Sequence, residues 1–241
     1  MHPAKQVSVP FMVVGILFCV ALITSNLLEM KVFHFAGPFS LTCGFLVFPI
    51  SYILNDCMAE VWGYAKARFV IWMGFLMDFL VMAFAGIACL IPPAEPGGDA
   101  AFREMFTFAP QIVVASLLAF LVGSFLNASV MSRMKLADRG KPHFNLRFAW
   151  RAVLSTIVGE SADSLIFFPL AFVVFPIAVS GQPAVSVPTM LSLMGTQVVA
   201  KTLYETILLP LTTRVVKWLK RVEGTDAFDE NISYNPFKFE V

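Results

Sequence analysis

Charged residues are scarce: 17 Lys and Arg with 16 Asp and Glu make up 14% of the 241 residues. A soluble globular domain carries roughly 25%. With 58% hydrophobic residues and a mean hydropathy of +0.78, that scarcity excludes an ordinary water-soluble domain and points to a membrane protein. Histidine is nearly absent. His2, His34 and His143 lie in the N-terminal tail and in loops, which speaks against an intramembrane metal site. The four cysteines, Cys19, Cys43, Cys57 and Cys89, form no CxxC pair and no metal-binding spacing. They read as small apolar filler. No basic run is interleaved with aromatics, so nucleic-acid binding is not indicated. HExxH, GxSxG and a Walker loop are all missing, so the chain is read as no enzyme and no cofactor is expected.

What is present is six long apolar runs, at about 9–28, 41–61, 69–91, 110–131, 149–179 and 187–216, each long enough to cross a bilayer as a helix. The first follows a single basic residue, Lys5, and has no small-residue cleavage site after it, so it reads as a span and not as a signal peptide. The last two runs exceed one crossing and should tilt, kink or project. Pro169, Pro176 and Pro210 are candidate kinks or ends, and Pro188 is a candidate helix start. Lys5, Lys66, Arg68, Arg133, Lys135, Arg139, Lys141, Arg147, Arg214, Lys217, Lys220, Arg221 and Lys238 fall on one side of this arrangement, against Lys31 and Arg103 on the other. The positive-inside rule then places both termini in the cytoplasm, which requires an even number of spans. The expectation is a single all-α transmembrane domain over 1–241. An outer loop at 91–109 carries a short interfacial helix from Asp99, and a mobile polar tail occupies 223–241.

The fifth run, RAVLSTIVGESADSLIFFPLAF from Arg151 to Phe172, carries Thr156, Glu160 and Asp163 at spacings i, i+4 and i+7. These share one helix face. A charged group at the helix centre costs about 2.5–3.5 kcal/mol on insertion scales, so the face must turn inward. Tyr52, Asp56 and Glu60 recur every four residues on the second run, and Gln197, Lys201 and Glu205 do so on the sixth, with Tyr204 beside them. Lys201 and Glu205 can neutralise each other along their own helix. Asp78 stands alone in the third run, with Arg151 or Lys201 as prospective partners. Asn26 is the polar residue of the first run best suited to ligand contact.

Six acids (Asp56, Glu60, Asp78, Glu160, Asp163, Glu205) face two bases (Arg151, Lys201), and insertion costs total on the order of 20 kcal/mol if nothing offsets them. Protonation, water or a donor-rich guest must relieve the surplus. A carboxylate accepts two parallel N–H bonds, from a guanidinium or from the amide-plus-amino edge of a guanine. Aromatic rings such as Tyr52 and Tyr204 can stack on a flat solute.

Three motifs carry a resemblance. FPxxYxxxDxxxExxG…AR from Phe48 to Arg68, RAxxSTxxGExxD from Arg151 to Asp163, and KxxYExxxxP from Lys201 to Pro210 resemble the queuosine precursor transporter family, a YhhQ-type group of the vitamin uptake transporters. The resemblance implies a six-helix bacterial inner-membrane importer of 7-deazaguanines such as preQ0 and preQ1. It also implies a fold related to the substrate-binding subunits of energy-coupling-factor transporters. On it, Glu160 and Asp163 are expected at the ring edge, with Asp56, Glu205, Asn26, Tyr52 and Tyr204 as further contacts. Arg151, Lys201, Asp78 and Glu60 are expected to balance charge. Expected partners are the deazapurine base and the bilayer, with a second copy or an energy-coupling subunit left open. Three alternatives stand beside this reading: a carrier of another vitamin-like or small cationic solute, an intramembrane enzyme, and buried ions that only hold helices together.

Overall fold

The computed structural model describes residues 7–28, 31–36, 39–95, 97–107, 110–140, 144–230 and 232–238. Its elements are α1 (Val9–Leu28), β1 (Val32–Ala36), β2 (Phe39–Thr42), α2 (Phe48–Trp62), α3 (Tyr64–Leu90), α4 (Ala100–Thr107), α5 (Pro110–Ala137), α6 (Phe144–Pro169), α7 (Phe175–Ser180) and α8 (Val187–Glu223). Helix α6 continues into α7 through a π-helical segment, Leu170–Val174. Pro169 explains the change of winding, because its ring removes a backbone donor from the ladder.

Four helical stretches are long and apolar enough to cross a membrane: Val9–Leu28, Tyr64–Leu90, Val114–Ala137 and Phe144–Ala178. Together with the broad band of exposed Leu, Ile, Val and Phe side chains, such as Leu90 and Ile207, they make this an all-α membrane protein.

The second apolar run departs from expectation. It is not one helix over 41–61. Leu41 and Thr42 close an antiparallel hairpin with Val32 and Phe33, a 3-10 turn follows at Cys43–Leu46, and α2 begins only at Phe48 with Pro49 in its first turn. At 1.5 Å per residue its 15 residues reach about 22 Å, well short of a 30 Å hydrocarbon core. The signal was in the sequence: the aromatic and β-branched residues of Val32–Phe35, followed by Gly37-Pro38 (outside the described residues), favour a hairpin.

A short helix, α4, follows Asp99, and Asp99 pairs with Arg103 in its first turn. Ser186 caps α8 by accepting from the Thr189 backbone N–H, and Pro188 lies in the first turn. Helix α5 packs along α6, α6 against α8, and α2 sits between α1, α5 and α8. The main core gathers Phe18, Leu22, Phe48, Tyr52, Met58, Ile71, Phe120 and Phe148. The four cysteines are free thiols, with Cys57 and Cys89 buried.

Small residues set the tightest helix approach. A Cβ placed on Gly123 would lie 2.8 Å from the Gly159 carbonyl oxygen and 2.5 Å from the Tyr52 hydroxyl. One on Gly159 would lie 2.9 Å from the Gly123 carbonyl oxygen and 2.8 Å from Tyr52 Cε1. Membrane helices meet this closely only where side chains are absent. Here the gap left by two glycines admits one tyrosine ring from α2.

The segment after α8, expected to be mobile, is instead tied to the body over much of 226–237. Tyr64 Oη donates to the Tyr234 carbonyl at 3.1 Å, Arg68 to those of Ser233 and Asn235 at 2.9 Å each, and Trp72 Nε1 to that of Pro236 at 2.8 Å. The physical reason is that Tyr64, Arg68 and Trp72 line one face of the first turns of α3, and the backbone carbonyls after α8 supply the acceptors these donors need.

Candidate functional site: a buried carboxylate cluster

Helices α2, α6 and α8 turn their polar faces to one another, and α5 lines the same space. Tyr52 and Asp56 come from α2, Thr156, Glu160 and Asp163 from α6, and Gln197, Lys201 and Glu205 from α8. All eight are at most 6% exposed. The four-residue spacings read from the sequence do therefore mark the inward faces of three separate helices.

Among the described residues one cation serves the cluster. Lys201 Nζ lies 3.1 Å from Glu160 Oε2 and 3.9 Å from Asp163 Oδ2, and 3.5 Å from the centroid of the Phe48 ring. The expected pairing of Lys201 with Glu205 along α8 is thus replaced by pairing across to α6. Glu205 points elsewhere, to Asp56 and Thr156. Asp56 also accepts from Ser155 Oγ at 3.4 Å and neighbours Asn127. Among the described residues neither Asp56 nor Glu205 has a cation within ion-pair distance. Asn127 Oδ1 is held by Asn55 Nδ2 at 2.9 Å, which fixes α5 to α2 just below.

Several polar atoms here lack partners. The Tyr52 and Ser164 hydroxyls and the Gln197 amide oxygen are buried with no hydrogen-bond partner among the described residues. A buried polar group left so costs about 1–3 kcal/mol, and such groups in a native site point to a ligand or water that supplies the missing bonds.

The other expected site residues lie apart. Glu60 belongs to a second centre at the far end of α2, where Arg151 Nη2 lies 2.9 Å, Lys220 Nζ 2.6 Å and Lys135 Nζ 3.9 Å away. Arg151 also meets Asp138 at 3.4 Å, and Asp138 meets Arg147 at 2.7 Å. Lys135 and Lys220 escaped the sequence reading because they were assigned to loops; they are the ends of α5 and α8 reaching back under the bundle. Asp78 pairs with neither Arg151 nor Lys201. Its Oδ2 accepts from Asn26 Nδ2 at 2.5 Å, and Asn26 Oδ1 accepts from Ser116 Oγ at 2.6 Å. Asn26 is thereby committed to a link between α1, α3 and α5. Tyr204 faces away from the cluster. Its ring meets Phe45 edge-on at 5.6 Å, its hydroxyl donates to the Leu46 carbonyl at 3.3 Å, and it lines a separate apolar cleft with Leu203 and Ile207. One residue along a helix turns the side chain by about 100°, enough to separate Tyr204 from Glu205.

Residues 42–215 match the family described as "Putative vitamin uptake transporter". The chain belongs to this family. Helices α2 and α6 fall in the matched range, as does α8 up to residue 215, with all eight residues of the cluster. Among curated proteins, the "Probable queuosine precursor transporter" of Bacillus subtilis (strain 168) is 27% identical over 63% of this chain and 65% of its own length. That of Haemophilus influenzae is 26% identical over 60% and 58%. The "Queuosine precursor transporter" of Escherichia coli K12 is 28% identical over 56% of each chain. The match thus spans less than two thirds of each of these relatives. No solved structure matches the chain. Helix α1, the start of the hairpin, the last turns of α8 and the segment after it lie outside the matched residues.

Proposed function

We propose that this vitamin uptake transporter imports 7-deazaguanine precursors of queuosine, such as preQ0 and preQ1, across the bacterial inner membrane, binding them at the α2–α6–α8 carboxylate cluster. The observation that carries the reading is a buried set of four acids, Asp56, Glu160, Asp163 and Glu205, of which, among the described residues, only Glu160 and Asp163 have a cation, Lys201, within ion-pair distance. Such a set demands hydrogen-bond donors from a guest. A deazaguanine offers an N1–H and a 2-amino group side by side, which a carboxylate accepts as a pair. The amine of preQ1 would answer the remaining acidity. The printed names of the three relatives give the same solute class.

In this reading Glu160 and Asp163 take the ring edge, Asp56 and Glu205 the amine end, and Tyr52 a ring contact. Six crossings, with α2 and its hairpin together forming the short second one, put both termini in the cytoplasm. The segregation of Lys and Arg to one side supports that orientation.

The test is uptake of radiolabelled preQ0 and preQ1 into cells that make no precursor. Glu160→Gln should lower preQ0 uptake at least tenfold at equal protein level, the worth of about 1.4 kcal/mol. Unchanged uptake would remove Glu160 from the site. Competition by other donor-rich bases or small cations with undiminished strength would shift the reading to a carrier of a different solute. Recovery of altered solute from reconstituted vesicles would argue for an enzyme.

A further inference from the structure

The chain after α8 does more than lie on the surface. It meets the body at the break between α2 and α3. That break is one residue wide: α2 ends at Trp62, α3 begins at Tyr64, and Gly63 between them has φ +86°. A side chain is strained at such a φ, and a Cβ there would also meet Asp229 Oδ1 at 2.6 Å. Two helices that end so abruptly leave unpaired carbonyls on α2 and unpaired N–H groups on α3.

The tail supplies both kinds of partner. Ala227 N donates to the Val61 carbonyl at 3.3 Å, at the end of α2. The Asp229 carboxylate accepts from Tyr64 N through both oxygens, at 3.0 and 2.9 Å, and from the Ser132 hydroxyl. It thus acts as the N-cap that Gly63, which has no side chain, cannot supply to α3, and a carboxylate at a helix N-terminus is the favoured charge. Lys135 joins the two sides by donating to the Glu60 and Ala227 carbonyls while pairing with Asp226 at 2.6 Å. Trp62 Nε1 reaches Glu223 at 3.1 Å. Ile232 and Tyr234 pack against the main core.

We infer that residues 224–230 and 232–238 form a strap that clamps the Gly63 joint, with Asp229 as its fastening, and that this clamp positions the cluster-facing side of α2. The reasoning is mechanical. Helix α2 carries Tyr52 and Asp56 into the cluster. It is short, is entered through a 3-10 turn and leaves through a glycine, so few backbone bonds hold its direction. The strap caps both helix ends at the joint, and Lys135 of α5 adds a bond to the Glu60 carbonyl on the α2 side. Asp229 is a positioning residue, since it touches Tyr64 and Ser132 and not the cluster. The solute assignment rests on the proposed function; the clamp does not.

The test reads Cys57, a buried free thiol on α2. In a chain with Cys19, Cys43 and Cys89 changed to Ser, Asp229→Ala should speed alkylation of Cys57 by N-ethylmaleimide about tenfold, the effect of losing one charge-assisted bond. In the otherwise unchanged chain the same substitution should raise the KM for preQ0 several-fold with the maximum rate kept. Ser132→Ala, which removes one bond to the fastening, should move both readouts the same way by less, and serves where Asp229→Ala fails to accumulate. A lower melting temperature with unchanged Cys57 reactivity and unchanged KM would overturn the inference and leave the strap a passive cover. Faster alkylation without any preQ0 uptake in the parent chain would sustain the clamp and refute the solute.

Discussion

Exchanging Lys201 and Glu205, as Lys201→Glu with Glu205→Lys, leaves composition and net charge untouched. An ion pair confined to α8 would survive the exchange with its sign reversed. The observed geometry forbids that, because the partner of Lys201 is Glu160 at 3.1 Å, with Asp163 at 3.9 Å. At an effective dielectric of 20, unit charges at these separations attract by about 5 and 4 kcal/mol before desolvation is counted. The exchange removes both attractions and sets a third carboxyl against two. Breaking a buried pair costs about 3–5 kcal/mol net, and each kcal/mol shifts the melting temperature of a chain this size by about 2–4 °C. A fall of about 6–20 °C in detergent is therefore expected, with preQ0 uptake lost. Adding Glu160→Gln to the exchanged chain should recover part of the melting temperature, since the two changes share one contact. An exchanged chain that melts and transports like the parent would refute the cross-helix pairing and leave the buried ions as a self-contained α8 pair.

Gly159→Ala forces a methyl to within 2.8 Å of Tyr52 Cε1; overpacking of this kind costs about 1–3 kcal/mol, and a melting curve should fall accordingly while preQ0 uptake drops. Asn26→Ala strips the hydrogen bond from the buried Asp78 carboxyl and should destabilise by about 1–3 kcal/mol, with Asp78→Asn in the same chain restoring part of it; thermal melting of the single and double variants decides. Outside the bilayer, burial raises the Asp226 carboxyl but the hydrogen bonds from Lys135 and Lys220 outweigh it, so the group titrates below its ordinary range. A depressed folded value means that its stabilisation is present above the unfolded value near 3.9 and is lost as pH falls through the folded one. Melting temperature should therefore fall less steeply below about pH 4 in Asp226→Asn than in the parent.

Spacing made the cluster legible. Thr156, Glu160 and Asp163 share a helix face whatever the tertiary structure, and the energy of burying acids dictates that this face turns inward. Pairing was not legible, because i, i+4 proximity within α8 and proximity across helices offer the same residues different partners. Lys201 chose two acids on α6 over one on α8. Asp78 illustrates the same limit: a lone acid invites a search for a cation, yet two neutral side chains, Asn26 and Ser116, satisfy the link that holds it. Lys135 and Lys220 were hidden by their position at helix ends, where long aliphatic stems let an ammonium travel back to Glu60. Hydropathy alone cannot tell the apolar strand of the hairpin from the start of an apolar helix; the aromatic and β-branched residues before Gly37-Pro38 were the legible sign. The tail was hidden by its polarity, since the carbonyls that hold it carry no trace in side-chain composition.

The glycine seam between α5 and α6 has a bearing on how the protein can work at all. With backbone facing backbone at Gly123 and Gly159 and the Tyr52 ring wedged beside them, a methyl at either glycine would meet a carbonyl oxygen within 2.9 Å. On the proposed transport reading we take this close pair as the fixed frame, with the surrounding helices doing the turning and the Tyr52 ring as the place where they bear against it.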